Sequence, residues 1–435
     1  MSRLPVKPLK WVPSLYFAMG APMITVSVVA AIMYKNLGVS NADIAFHTGF
    51  MYLPWALKPI WAPVVEMFRT KKFFVVTAEI VIAVTLGCVA MSLSLPHYMP
   101  WTIAFLWMTA FASATQDIAA DGVYIASMSR RQQALYAGVQ GVAWNIGRII
   151  ASGLLVSFTG KLHDDLGLGW HQAWMVVMAI LAAIMIASAG WHGKVLPSGG
   201  NAAEAPTDIG EAARVFVDAF ASFFKKKGIA GMIAFTFFYR FGEGLIEKIG
   251  PLFLLDDRAV GGLQLSNVDL GKINGTYGTL GFILGAILGG IFSARLGLRR
   301  SILALVLALN VPHVTYLFLS QARPTSLPII TAVVTIEKFG YGLGSVGHML
   351  YMMQQVARGS YRTAHYAFAT GIMGLCMMST GMISGYISEA IGYQRFFIMV
   401  MMASALPILA LWFAPFQDAE DQPQDFAPDG VPRVG

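Results

Sequence analysis

Two carboxylates, Asp117 and Asp121, stand four residues apart in the stretch Thr115-Gln116-Asp117-Ile118-Ala119-Ala120-Asp121, inside an apolar run from about Trp101 to Met128. On a helix they share one face, one turn apart. A charge at the centre of a lipid-embedded helix costs roughly 2.5–3.5 kcal/mol on insertion scales, so two on one face belong in a protein interior or a watery cavity. Like charges in a low-dielectric site resist ionising together. One of the pair can then hold a proton near neutral pH, which makes Asp117 and Asp121 the expected proton-coupling residues. The competing reading is a permanent ion pair with Lys58 or Arg148 that only fixes helix packing.

Ten ionisable side chains lie well inside apolar runs: Lys58, Asp117, Asp121, Arg148, Arg240, Glu243, Glu247, Lys248, Glu337 and Lys338. Five are acidic and five basic, so a nearly neutral buried network is expected, tolerable if paired and hydrogen-bonded. Arg240, Glu243 and Glu247, at steps of three and four, are expected on one helix face. Arg240 has the planar fork that suits a carboxylate; pairing with Glu243 inside the helix is the alternative. Lys58 and Arg148 read equally well as counter-ions of the acids or as substrate ligands. Lys248 is expected to snorkel. Glu337 and Lys338 are adjacent and should point apart, one of them to the cavity.

Gln116 and Asn145 can hydrogen-bond sugar or peptide groups, and Tyr52, Trp144 and Tyr341 can stack on sugar rings; ordinary interhelical bonding and packing are the alternatives. The expected substrate-binding set is thus Tyr52, Lys58, Gln116, Trp144, Asn145, Arg148, Arg240, Glu243 and Tyr341. Glu66, beside Arg69, is an expected gating latch. His47, His313, His348 and His365 lack metal-ligand spacing, and no metal is expected.

The scaffold that must position these groups follows from composition. The 435 residues are 56% hydrophobic and 12% charged, where a soluble domain is about a quarter charged. About 20 apolar residues cross a bilayer, and twelve such segments can be counted, from Val12–Tyr34 to Tyr393–Phe413. The expectation is an all-α membrane protein of twelve transmembrane helices in two six-helix bundles. Lys and Arg number eighteen on the side of the termini and five on the other, which places both termini in the cytoplasm. The domains are expected as 1–192, a six-helix bundle; 193–227, a cytoplasmic linker with an amphipathic helix; 228–416, the second bundle; and 417–435, an acidic disordered tail. The first apolar run is too long for a signal peptide and reads as an uncleaved span. Cys88 and Cys376 fit neither a disulfide nor a metal site. The net charge of +7 fits basic loops rather than nucleic acid. No metal cluster, nucleophile elbow or phosphate loop points to an enzyme. The lipid bilayer is the expected surrounding, and the chain is expected to be a monomer. Two six-helix halves around a central site are a transporter plan.

Basic turns recur at equivalent places in the halves: Glu66-Met67-Phe68-Arg69-Thr70-Lys71-Lys72 and Ala294-Arg295-Leu296-Gly297-Leu298-Arg299-Arg300. They resemble the loop motif of the major facilitator superfamily, the first with Glu66 where an aspartate is usual. Four further blocks resemble the AmpG-like muropeptide permeases and their relatives, the acetyl-coenzyme A transporters and certain siderophore importers. These are Met19-Gly20-Ala21-Pro22; the stretch from Leu53-Pro54-Trp55 to Trp61-Ala62-Pro63; Ala114 to Asp121; and Tyr341-Gly342-Leu343-Gly344 with Tyr361 to Ala367. The resemblance implies a cation-driven importer in the bacterial inner membrane, usually proton-driven, working by alternating access. It implies no cofactor beyond the proton gradient as energy source. A muropeptide or other small-molecule or glycopeptide cargo is the first expectation; a siderophore, a peptide or a coenzyme A thioester is the alternative.

Overall fold

The computed structural model describes residues 7–416, apart from 68, 129, 200–208 and 359–360. Every regular element among them is helical. The chain forms α1 (Pro8–Asn36), α2 (41–67), α3 (Lys71–Ser92), α4 (Tyr98–Ser127), α5 (130–164), α6 (Trp170–Val195), a linker helix α7 (Ile209–Phe224), α8 (Ile229–Leu255), α9 (Asn267–Leu296), α10 (Leu298–Ala322), α11 (Leu327–Val356), α12 (Arg362–Ile391) and α13 (Tyr393–Phe413). Ten contain segments long and apolar enough to cross a membrane. The other two rods of membrane length are the ones that carry polar groups or a break. At 30 residues α4 is about 45 Å long, but it holds Gln116, Asp117 and Asp121. Helix α2 is interrupted at Met51–Tyr52, between Asn41–Phe50 and Leu53–Met67. Pro54, two residues past the break, has no N–H to continue the ladder from the first segment.

The twelve rods form two six-helix bundles joined through α7. Small residues let backbones approach within and between them. A Cβ on Gly285 or Gly342 would overlap a backbone carbonyl across the α9–α11 contact. Between the bundles, α2 meets α12, where a Cβ on Gly49 would lie 2.7 Å from Met382 N. Helix α5 meets α9 where Gly153 faces Gly271 and Gly275. Both helices there adopt wide i→i+5 turns, at Ile149–Leu155 and Gly271–Tyr277.

The linker helix follows its expected position but divides its apolar residues. Ala219 and Phe223 are buried, with Phe223 against Phe368 of α12 at 5.5 Å, whereas Phe220 and Phe224 remain exposed. His365 accepts this docking through Ser222 Oγ at 2.9 Å. The expected tail, 417–435, lies outside the described residues.

Candidate functional site

Lys58, on the second segment of α2, forms an ion pair with Asp117 of α4. The side chains are 28% and 15% exposed. Lys58, not Arg148, is therefore the cation paired with Asp117. Asp121 accepts a hydrogen bond from Tyr16 Oη of α1 at 2.8 Å and is exposed. The two acids do share a helix face, but each has its own partner. Tyr16 has no sequence signal beyond an aromatic near the start of the first span.

At mid-depth the bundles exchange polar contacts. Tyr52, at the α2 break, donates to Glu247 Oε1 of α8 at 2.7 Å. Lys248 is not at an interface, as expected, but buried; its Nζ donates to Ser27 O at 2.6 Å and Thr48 O at 3.2 Å in the first bundle. Helix α8 breaks at Tyr239–Arg240, and Arg240 caps the segment that carries Glu243 and Glu247, its carbonyl accepting from Gly244 N at 2.9 Å. Its guanidinium bonds Tyr341 Oη, lies 4.9 Å from that ring and approaches Met373 Sδ at 3.5 Å. Arg148, partly exposed, stands over the Phe282 ring at 5.9 Å. This places Lys58, Arg148 and Arg240, all partly exposed, in elements that line the seam between the bundles.

Other expected binding residues are placed elsewhere. Gln116 is fully buried, and its Nε2 donates to Glu79 Oε1 at 2.9 Å. The same oxygen meets His192 Nδ1 at 2.7 Å, and His192 Nε2 meets Ser14 Oγ at 3.0 Å. This dry cluster of α1, α3, α4 and α6 ties the first bundle together, so Gln116 has a structural role. Glu79 and His192 were missed by sequence reasoning. A lone carboxylate in an apolar run, with a histidine at the matching depth three spans later, was the available signal.

Glu243 is also fully buried, away from the seam. It faces Lys338 Nζ at 3.5 Å and His313 Nε2 at 3.6 Å. Glu337 and Lys338 do not point apart; they form an ion pair at 3.0 Å, both buried. The physical reason is shared: each carboxylate in a dry helix contact needs a cation, and Lys338 serves two. Asn145 donates to Gly141 O of its own helix at 2.9 Å. Trp144 packs α5 on α1, with its carbonyl 2.5 Å from where a Gly20 Cβ would sit. His348 stacks on Tyr239 at 4.4 Å. Arg69 is exposed with φ 60° and lies 6.0 Å from the Phe73 ring. The side chain of Glu66, its expected gating partner, lies outside the described residues.

At the end opposite the termini the bundles are latched. Asp256 of α8's end pairs with Lys35 at 2.5 Å, accepts from Asn41 Nδ2 at 3.0 Å and bonds Tyr393 Oη. Asn36 and Asn267 join α1 to α9 at 2.6 Å, and Glu389 accepts from Ala42 N at 2.9 Å. Asp121 is exposed. A charged layer between two bundles that are latched at one end can bind a polar solute and release it to one side at a time.

The comparisons agree with that geometry. The chain is 23% identical over 403 residues to the anhydromuropeptide permease of Escherichia coli strain K12, covering 91% of this chain and 77% of that protein. It is 22% identical over 404 residues to the Rickettsia felis transporter AmpG 4, covering 90% and 92%. Among solved structures, a D-xylose–proton symporter superposes with a TM-score of 0.71 at 12% identity, covering 94% of this chain and 97% of that one. The nucleoside transporter NupG gives 0.70 at 15%, covering 94% and 98%. The family model of the Major Facilitator Superfamily matches residues 14–381, and the chain belongs to that superfamily of membrane transporters.

Proposed function

We propose that the protein is a proton-coupled importer of a muropeptide, a sugar-peptide bearing carboxylates, amides and hydroxyls, with both termini in the cytoplasm. The observation that carries the reading is the set of partly exposed cations Lys58, Arg148 and Arg240 along the seam between the bundles. Arg148 forms no ion pair among the described residues, and its forked guanidinium suits a carboxylate. Relatives named anhydromuropeptide permease, aligned over nine-tenths of the chain, support the cargo. On this reading Asp117 and Asp121, reachable from the cytoplasmic side, exchange protons as Lys58 is released or recaptured. On this reading the Asp256 latch lies at the outer surface and holds that side closed.

The test is uptake of a labelled anhydromuropeptide into proteoliposomes, with and without an inward proton gradient. Gradient-dependent accumulation supports the proposal. Accumulation of a siderophore, peptide or coenzyme A thioester instead would refute the cargo, and accumulation without dependence on the gradient would refute the coupling.

A further inference from the structure

Helix α7 carries two apolar stripes and buries one. Phe216, Ala219 and Phe223 face α12, the two rings lying 5.7 and 5.5 Å from Phe368, and α7 also lies against the second segment of α2. Lys226 fixes the far end: its Nζ bonds Val356 O and donates to Arg358 O at 2.8 Å. A second stripe runs beside the first. Ala213, Val217, Phe220 and Phe224 fall at steps of four, three and four, which is one face of a helix. All four are exposed, the last three by 59, 48 and 48%. Among the exposed large apolar side chains of α7 only Val215 stands off this stripe. Arg214, Asp218 and Lys225, at steps of four and seven, make a third face, which is charged and exposed.

The depth of α7 says what covers the second stripe. Helix α12 has 30 residues, about 45 Å, against a hydrocarbon core of about 30 Å. With equal overhangs the core begins about five residues in. Phe368, six residues past Arg362, then stands at the boundary between acyl chains and headgroups. Leu375, seven residues further on the same side of α12, is 40% exposed, so α7 continues a face that the bilayer covers. Charge agrees with depth. Lys225 and Lys227 are exposed just past Phe224, at the level where lipid phosphates lie.

We propose that α7 lies in the membrane interface, with Val217, Phe220 and Phe224 among the acyl chains and Lys225 and Lys227 on the headgroups of anionic phospholipids. Such a helix sinks its apolar face about 5–10 Å into the boundary. The buried stripe meanwhile holds α12, so the lipid surface bears on the second bundle through Phe368. Which leaflet this is rests on the topology proposed above; the lipid contact does not.

Quenching of a fluorescent label tests the placement. Cys376 is buried, so Cys88→Ala leaves an introduced cysteine as the reactive one. Val217→Cys, Phe224→Cys and Asp218→Cys are labelled with bimane in the full chain and reconstituted into phosphatidylcholine vesicles. Brominated acyl chains should quench the label at 217 and 224 several-fold more than at 218, and aqueous iodide should do the reverse. Equal quenching at the three positions would overturn the proposal. Shielding from iodide that grows with the protein-to-lipid ratio would assign the stripe to a second copy of the chain and overturn it too. The headgroup is tested at 224 with brominated phosphatidylglycerol against brominated phosphatidylcholine at equal mole fraction. Each lysine near an anionic surface is worth about fivefold in local enrichment. Stronger quenching by the anionic lipid is expected, and Lys225→Gln with Lys227→Gln should abolish the difference. No preference in the parent protein, or one that survives in the double variant, would refute the headgroup contact. None of these readouts needs cargo, so a protein that moved no muropeptide would sink the cargo reading and leave the lipid contact to be decided here.

Discussion

Removing the Asp256 carboxylate should open the outer surface. Asp256 gathers three donors from other elements: Lys35 at 2.5 Å, Asn41 Nδ2 at 3.0 Å and Tyr393 Oη. Lys35 and Asn41 belong to the first bundle, so two of the contacts exist only while the bundles touch there. The charged pair is 17% and 16% exposed, between the surface and buried limits. Hydrogen bonds to charged groups contribute about 1.5–3 kcal/mol each, but contacts that share one carboxylate are not additive. Taking about 2–3 kcal/mol for the latch, Asp256→Ala should raise the outward-open to inward-open ratio roughly 30- to 150-fold. A ratio of about one to a hundred would then approach equality. Spin labels on Leu166→Cys and Val260→Cys, both exposed in loops at the latched end, report the separation by pulsed electron resonance. The expected result is a second, longer distance population in Asp256→Ala that is absent from the parent. A single unchanged distance in a folded, monodisperse variant would show that the latch does not hold the inward-facing state.

Removing one member of the Lys58–Asp117 pair should destabilise more than removing both: Lys58→Met and Asp117→Asn should each lower the melting temperature, and the double variant should recover part of the loss, since the lone buried charge is the costly state. His192→Ala leaves the fully buried Glu79 with Gln116 as its one remaining donor among the described residues and should cost about 1–3 kcal/mol, read as a lowered melting temperature in detergent. Arg148→Gln should leave the melting temperature within the parent's range but weaken muropeptide binding roughly 10- to 100-fold, the value of one charge-assisted contact; unaltered affinity by calorimetry would remove Arg148 from the site. Gly285→Val should abolish folding because its Cβ overlaps a carbonyl of α11, whereas Gly290→Ala, with nothing within 4 Å, should express normally.

The fold was legible because hydropathy and the Lys/Arg bias are properties of whole segments. The site was legible only in part, because which groups pair depends on rotation about each helix axis. Asp117 and Asp121 could be placed on one face from their spacing, yet nothing in the sequence says that Tyr16 faces one and Lys58 the other. Glu243 misled for a specific reason. Although α8 breaks at Tyr239–Arg240, Glu243 and Glu247 share the segment beyond it; what the spacing does not tell is that Lys338 and His313, far off in sequence, face Glu243. Glu337 and Lys338 misled because adjacency on a helix separates backbones by about 100°, while a long lysine stem can still fold back to its neighbour. Gln116 went to a cluster whose other members, Glu79 and His192, lie far off in sequence.

The same break gives the second bundle a way to act on the first. The segment Phe241–Leu255 is 15 residues long and carries Glu243 toward Lys338 and His313. Four and five residues on, Glu247 reaches Tyr52 and Lys248 reaches Ser27 O and Thr48 O, all in the first bundle. Its end carries Asp256, the centre of the outer latch. A rigid helical segment transmits a shift at one end to the other, and the non-helical residue Arg240 lets it move apart from Ile229–Phe238. Arg240 sits at the hinge with its guanidinium on Tyr341, so a cargo carboxylate that drew Arg240 away would pull on the same segment. Cargo bound at mid-depth would then bias the element that holds the latch, which is what coupling between distinct sites requires.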